Sequence, residues 1–179
     1  MNAYLNIPRI RIQGAPVSMH WSVWIIVAYL LFTWREDPLL GVIGVVCYFT
    51  LILLHEAGHA YFARRAGARP IAIRMFLLHG ECRYEEPYYA KDDYIIAWGG
   101  VLAQLAVAIP LVVLDATMDV TEVYGLPVVV RYLGGMSLLI VAINLLPFPG
   151  LDGEKAWRLP KLMYREWREL RKPFRRRKR

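Results

Sequence analysis

Two histidines four residues apart, with a glutamate directly after the first, stand inside an apolar run: His55-Glu56-Ala57-Gly58-His59. On a helix both imidazoles face the same way and can share one zinc ion, and Glu56 lies beside that face, within reach of a water activated there. In a chain of this composition the pattern arises by chance in roughly 0.4% of cases. Ionisable groups inside an apolar helix are costly to bury without a partner, which makes them functional candidates. The plainer alternative is a pair of interfacial histidines making ordinary hydrogen bonds, with Glu56 extending to water.

A catalytic zinc needs a third protein ligand and an open position. His20, His79 and the aspartates are the candidates. Topology places Asp37, Asp115 and Asp119 on the far side from the two histidines, and Asp92 and Asp93 fall in a polar loop expected to be solvated. Asp152 differs. It follows Asn144-Leu145-Leu146-Pro147-Phe148-Pro149-Gly150-Leu151 and precedes Gly153, at the end of the fourth apolar run and at the depth where the second run delivers its histidines. The prolines and glycines there break the helix and can turn a carboxylate back into the bundle, which is tolerable where backbone lines a cavity. The competing reading makes Asp152 the cap of a helix starting near Glu154.

These residues have to be positioned by elements of an apolar body. The 179 residues are 57% hydrophobic, yet the formal net charge is +7. That combination excludes a disordered or collagen-like chain, and two cysteines, Cys47 and Cys82, exclude a disulfide scaffold. Four runs, over residues 17–34, 39–62, 94–114 and 127–146, approach the length needed to cross a hydrocarbon core. An even number of crossings puts both termini and the central loop on one side with 20 of the 22 lysines and arginines, which the positive-inside rule makes cytoplasmic. Gly99, Gly100 and Ala103 offer a small face for close helix packing, with Gln104 as an interhelical hydrogen-bonder. Between the second and third runs, residues 71–78 alternate as a strand, His79-Gly80 offers a turn, and residues 81–84 can return. Such a hairpin must lie against protein or in a water-filled cavity. The expected fold is an all-α polytopic membrane protein of about four transmembrane helices. A short membrane-associated β-hairpin sits between the second and third, and a basic amphipathic helix ends the chain. Residues 1–153 form the membrane domain and 154–179 a basic tail suited to anionic lipid rather than nucleic acid.

His55-Glu56-Ala57-Gly58-His59, together with the segment from Asn144 to Gly153, resembles the paired signatures of the site-2 protease family of intramembrane zinc metalloproteases. The resemblance extends over residues 14–153 and includes Gly100-Val101-Leu102-Ala103-Gln104, where Val101 and Gln104 stand in positions that are often Pro and Asn in the family. It implies His55, His59 and Asp152 as ligands of one zinc per chain, Glu56 as general base, and Asn144 as a polar group near the substrate backbone. With too few soluble residues for the PDZ or nucleotide-sensing modules that many members carry, a compact member is expected. The expected function is cleavage of a transmembrane helix of a membrane-tethered regulatory protein, in the cell membrane. A helical substrate must first be extended, and the strand carrying Ile71, Ile73 and Met75 is the expected edge to hold it. The rival from another class is a non-enzymatic zinc carrier or a scaffold that binds transmembrane helices. Glu56 discriminates, because a carrier needs ligands but no base.

Overall fold

The computed structural model describes residues 3–171. The chain begins as a hairpin, not as a span. β1 (Tyr4–Ile12) and β2 (Ala15–His20) pair antiparallel through Gln13-Gly14, whose φ values of 51° and 90° are both left-handed. A two-residue hairpin turn of this hand matches the twist of its strands. The expected first span over residues 17–34 is corrected accordingly: its opening residues belong to β2, and only α1 (Val23–Thr33) is helical. Eleven residues rise about 16 Å, half of a hydrocarbon core of about 30 Å. A strand buried on both faces carries the same apolar composition as a helix, so the run alone could not separate them.

α2 (Pro38–Arg65) starts with the Asp37 side chain accepting from the Leu40 amide at 3.3 Å. It leads to β3 (Pro70–Met75) and β4 (Gly80–Tyr84), which form the hairpin anticipated from the alternation. β3 also pairs in parallel with β2, giving one four-stranded sheet in the order β1-β2-β3-β4. α3 (Ala90–Thr117) and α4 (Leu126–Asn144) follow, then the short α5 (Asp152–Ala156) and the amphipathic α6 (Arg158–Leu170). Among the described residues three helices, α2, α3 and α4, are long and apolar enough to cross a membrane, rather than four. The most basic end of the chain, residues 172–179, lies outside the described residues.

Two packing features place the site. α2 and α3 meet backbone to backbone, for a Cβ on Gly58 would strike the Gly99 carbonyl and a Cβ on Gly99 would stand 2.7 Å from the Gly58 oxygen. Close approach of this kind is how small residues hold membrane helices together. The sheet, for its part, buries Val17, Ile73 and Met75 against Leu30, Tyr48 and Leu51. The Tyr48 hydroxyl, in the first half of α2, donates to the Leu77 carbonyl at the hairpin tip. The tip therefore reaches the middle of a spanning helix, where strand backbone survives only because protein covers it. Outward-facing Val42, Val46, Ile109 and Val113 are exposed, as befits helices whose solvent is lipid.

Candidate active site

His55 and His59 are buried on one face of α2. The His55 Nδ1 lies 2.9 Å from Gln104 Oε1, and the His59 Nδ1 lies 2.8 Å from the Ile96 carbonyl, both supplied by α3. Each acceptor can only receive a hydrogen, so each ring carries a proton on Nδ1, and in its neutral form it presents the lone pair of Nε2. The two Nε2 atoms are 3.1 Å apart, and Asp152 Oδ2 stands 2.9 Å from one and 3.3 Å from the other. In this tautomer no hydrogen lies between the three atoms, and the buried Asp152 Oδ2 has no hydrogen-bond donor. Three converging acceptors repel one another unless a cation sits among them. Two imidazoles and one carboxylate are a donor set for catalytic zinc, with a coordination position left over. Room is kept for it on the α3 side: a Cβ on Gly100 would stand 2.6 Å from His59 Nε2 and 2.8 Å from His55 Nε2.

Asp152 is the first residue of α5, preceded by extended Leu151, and no side chain caps that helix. The capping alternative is not adopted; the carboxylate turns to the histidines instead. The segment doubles back at Gly150, with φ of 87°, and seats Gly153 directly on the carbonyl oxygens of Leu145 and Leu146, where a Cβ would collide. Indole donors secure the return, Trp98 Nε1 to the Ala156 carbonyl at 2.9 Å and Trp157 Nε1 to the Leu145 carbonyl at 2.6 Å.

Glu56 is 5% exposed and packs on β4: a Cβ on Gly80 would overlap its side chain, and the Cys82 backbone N–H donates to its carboxylate. It shares with the histidines and Asp152 a cavity of about 730 Å³. Leu51, Ile140 and Ile143 give that cavity an apolar wall, and Glu81, Glu154 and Lys155 a charged one. Asn144 reaches it from the end of α4, its Nδ2 3.4 Å from His55 Nε2. Cys82 also lines it, but burial, with Glu56 and Glu81 nearby, pushes the thiol up to about 12. It stays a neutral thiol at physiological pH and supplies no nucleophile.

The structure brings His55, Glu56, His59, Asn144 and Asp152 to one cavity, whereas Ile71, Ile73 and Met75 lie outside it. β3 is a central strand with both edges taken, Ile73 and Met75 are core residues, and Ile71 points outward. The expected substrate edge is therefore corrected: in the hairpin, the strand with an unpaired edge is β4, which also lines the cavity. Of the other two histidines, His79 lines the cavity from the turn, stacked on Phe76 at 4.8 Å, and His20 bonds Ser22 at the end of β2. Sequence reasoning missed the Ile96 carbonyl, which leaves no trace in side-chain identity. It placed Gln104 as an interhelical hydrogen-bonder without its partner, although a polar amide within an apolar span was the available signal.

No protein-family model matches the chain. Among curated proteins it is 32% identical to the zinc metalloprotease Rip3 of Mycobacterium tuberculosis, over 82% of its own length and 41% of that protein's. It is 22% identical to the zinc metalloprotease MJ0392 of Methanocaldococcus jannaschii, over 83% of its own length and 43% of that one's. The chain thus spans less than half the length of these relatives. Among solved structures, the site-2 protease from Methanocaldococcus jannaschii shares the fold with a TM-score of 0.67 at 19% identity, covering 91% of this chain and 74% of that one. By sequence the chain is related to curated zinc metalloproteases, and by fold it is similar to the site-2 protease.

Proposed function

We propose that this membrane protein is a zinc-dependent intramembrane endopeptidase that hydrolyses a peptide bond in or near a transmembrane helix of a membrane-tethered, regulatory protein. The observation that carries the reading is the convergence of the two Nε2 lone pairs and Asp152 Oδ2 beside buried Glu56, in one cavity within the apolar bundle. Bound zinc would supply a Lewis acid strong enough to make water ionise near neutral pH. Glu56 receives the proton of the attacking water at its carboxylate and returns it to the leaving amine. The Asn144 amide N–H groups can donate to a substrate carbonyl, and the charged wall admits water to a site otherwise enclosed by apolar side chains. A carrier or scaffold would need no buried carboxylate held against β4 beside the ligands.

A helical substrate has its carbonyls hydrogen-bonded and must be extended before it can be cut. The β4 edge satisfies an extended backbone where water is scarce. The test is purified protein with a panel of single-span substrates. Cleavage is expected to cease on chelation and return with zinc, and a substrate cysteine near the cut should form a disulfide with a cysteine at Glu81 but not with one at Ile71. Zinc-independent cleavage, or none with any substrate, counts against the enzyme; cross-linking at Ile71 alone counts against the edge.

Both termini are read as cytoplasmic, in the cell membrane, the chain passing through β2 and the short α1 to the far side before α2 begins, with the basic α6 and tail held by anionic lipid. In support, β1 and β2 share a sheet with β3 and β4, so the N-terminal hairpin and the central loop lie at the same end of α2. In intact cells a cysteine at Ala3 or Lys178 should escape an impermeant thiol reagent while one at Thr117 is labelled. Labelling in the reverse pattern would invert the topology.

A further inference from the structure

Asp93, one of two aspartates expected to be solvated, sits in the first turn of α3 and is engaged on both oxygens. Its Oδ1 accepts from the Tyr84 hydroxyl at 2.9 Å, and its Oδ2 lies 2.9 Å from Lys155 Nζ, which also approaches Oδ1 at 3.3 Å. Tyr84 is the last residue of β4, two beyond the Cys82 amide that meets Glu56. Burial, and then Asp93 itself, holds the Tyr84 hydroxyl above the usual phenol range, so it remains a donor. Lys155 lies on α5, three residues after Asp152. One carboxylate thus joins the strand that braces the base to the helix that carries the third ligand. α5 needs such a tie. A five-residue helix has no stability of its own, and the loop that delivers it contains Pro147, Pro149 and Gly150.

We propose that Asp93 is a positioning residue: by holding α5 through Lys155 and β4 through Tyr84, it fixes Asp152 and sets how tightly the site keeps zinc. The proposal rests on the zinc reading above. An exposed lysine–aspartate pair alone contributes little, but Asp93 is three-quarters buried, and the link to Tyr84 makes the pair part of a network. The Trp98 to Ala156 hydrogen bond survives its loss, so the effect is partial.

The experiment is a zinc competition titration against a chelator with the full chain in detergent, beside thermal unfolding at saturating zinc. Asp93→Ala and Lys155→Met are each expected to weaken zinc about tenfold, at the low end of what lost supporting contacts cost. The double variant should be no weaker than the weaker single one, because either change already releases α5. Asp93→Asn, which can still accept from Tyr84 and Lys155 through Oδ1, should recover most of the affinity. Lys155→Met removes an exposed cation and leaves the fold's core untouched, so it answers even if Asp93→Ala unfolds. Parental affinity in Lys155→Met, or losses that add in the double variant, would overturn the proposal. A parent chain that binds no zinc would instead overturn the zinc reading beneath it.

Discussion

Glu56→Gln is expected to keep one zinc per chain while peptide-bond cleavage falls by about 10²- to 10⁴-fold, the usual contribution of a positioned acid–base group. The substitution preserves size, and the glutamine oxygen can still accept from the Cys82 amide while its stem rests on Gly80. Glu56 is not among the three groups whose donor atoms converge, so metal binding has no reason to change. What is lost is the buried carboxylate beside that cluster that can hold a proton between its removal from water and its delivery to the amine. Metal analysis and cleavage of one substrate, run on the same preparation, separate the two quantities. A variant that cleaved like the parent would remove Glu56 from the reaction, and one that lost its zinc would make the residue a ligand.

The second large effect is expected from a single methyl group. In Gly100→Ala the new Cβ would stand 2.6 Å from His59 Nε2, 2.7 Å from His55 Cε1 and 2.8 Å from His55 Nε2, inside any normal contact distance. Helix α3 cannot recoil, because the adjacent Gly99 already touches the Gly58 backbone. The imidazoles must swing instead, breaking their bonds to Gln104 and the Ile96 carbonyl and scattering the two lone pairs. Zinc affinity is expected to fall by about 100-fold, with activity following it. Gly135→Ala serves as control, since nothing lies within 4 Å of a Cβ there, and it should retain zinc. Parental zinc content in Gly100→Ala, measured after dialysis against a weak chelator, would show that the metal position is not where the two Nε2 atoms meet.

Much of the site was legible in the chain because its chemistry is written in rare residue types at rigid spacing. His55, Glu56 and His59 sit on one helix, where a four-residue interval alone fixes a shared face. Asp152 could be singled out because prolines and glycines surround it where a span should end. Spans α2, α3 and α4 followed from apolar length. The N-terminal strands did not, since β2 is apolar and pairs with β3 across two intervening helices, a contact that no local window contains. The same long-range pairing closed the β3 edge, so a strand read correctly from alternation was given a role that its own pairing leaves no room for. Asp93 was misjudged for a related reason: a polar loop looks solvated until the partners that fold onto it, Tyr84 and Lys155, are known.

The separation of the ligands along the chain also governs when the site can come into being. His55 and His59 enter the bilayer with α2, but Asp152 is synthesised only after α3 and α4, and it reaches the histidines only once Gly153 has seated on the end of α4. The acceptors of the imidazole protons, on α3, likewise arrive after the rings they orient. During biosynthesis the nascent protein therefore passes through an interval with both histidines made but their ring orientation not yet fixed, and a chain halted before residue 152 lacks the third converging group. Formation of α4 with the seating of α5 on its end is therefore the step that completes the centre, and on the proposed function the chain gains its activity only then.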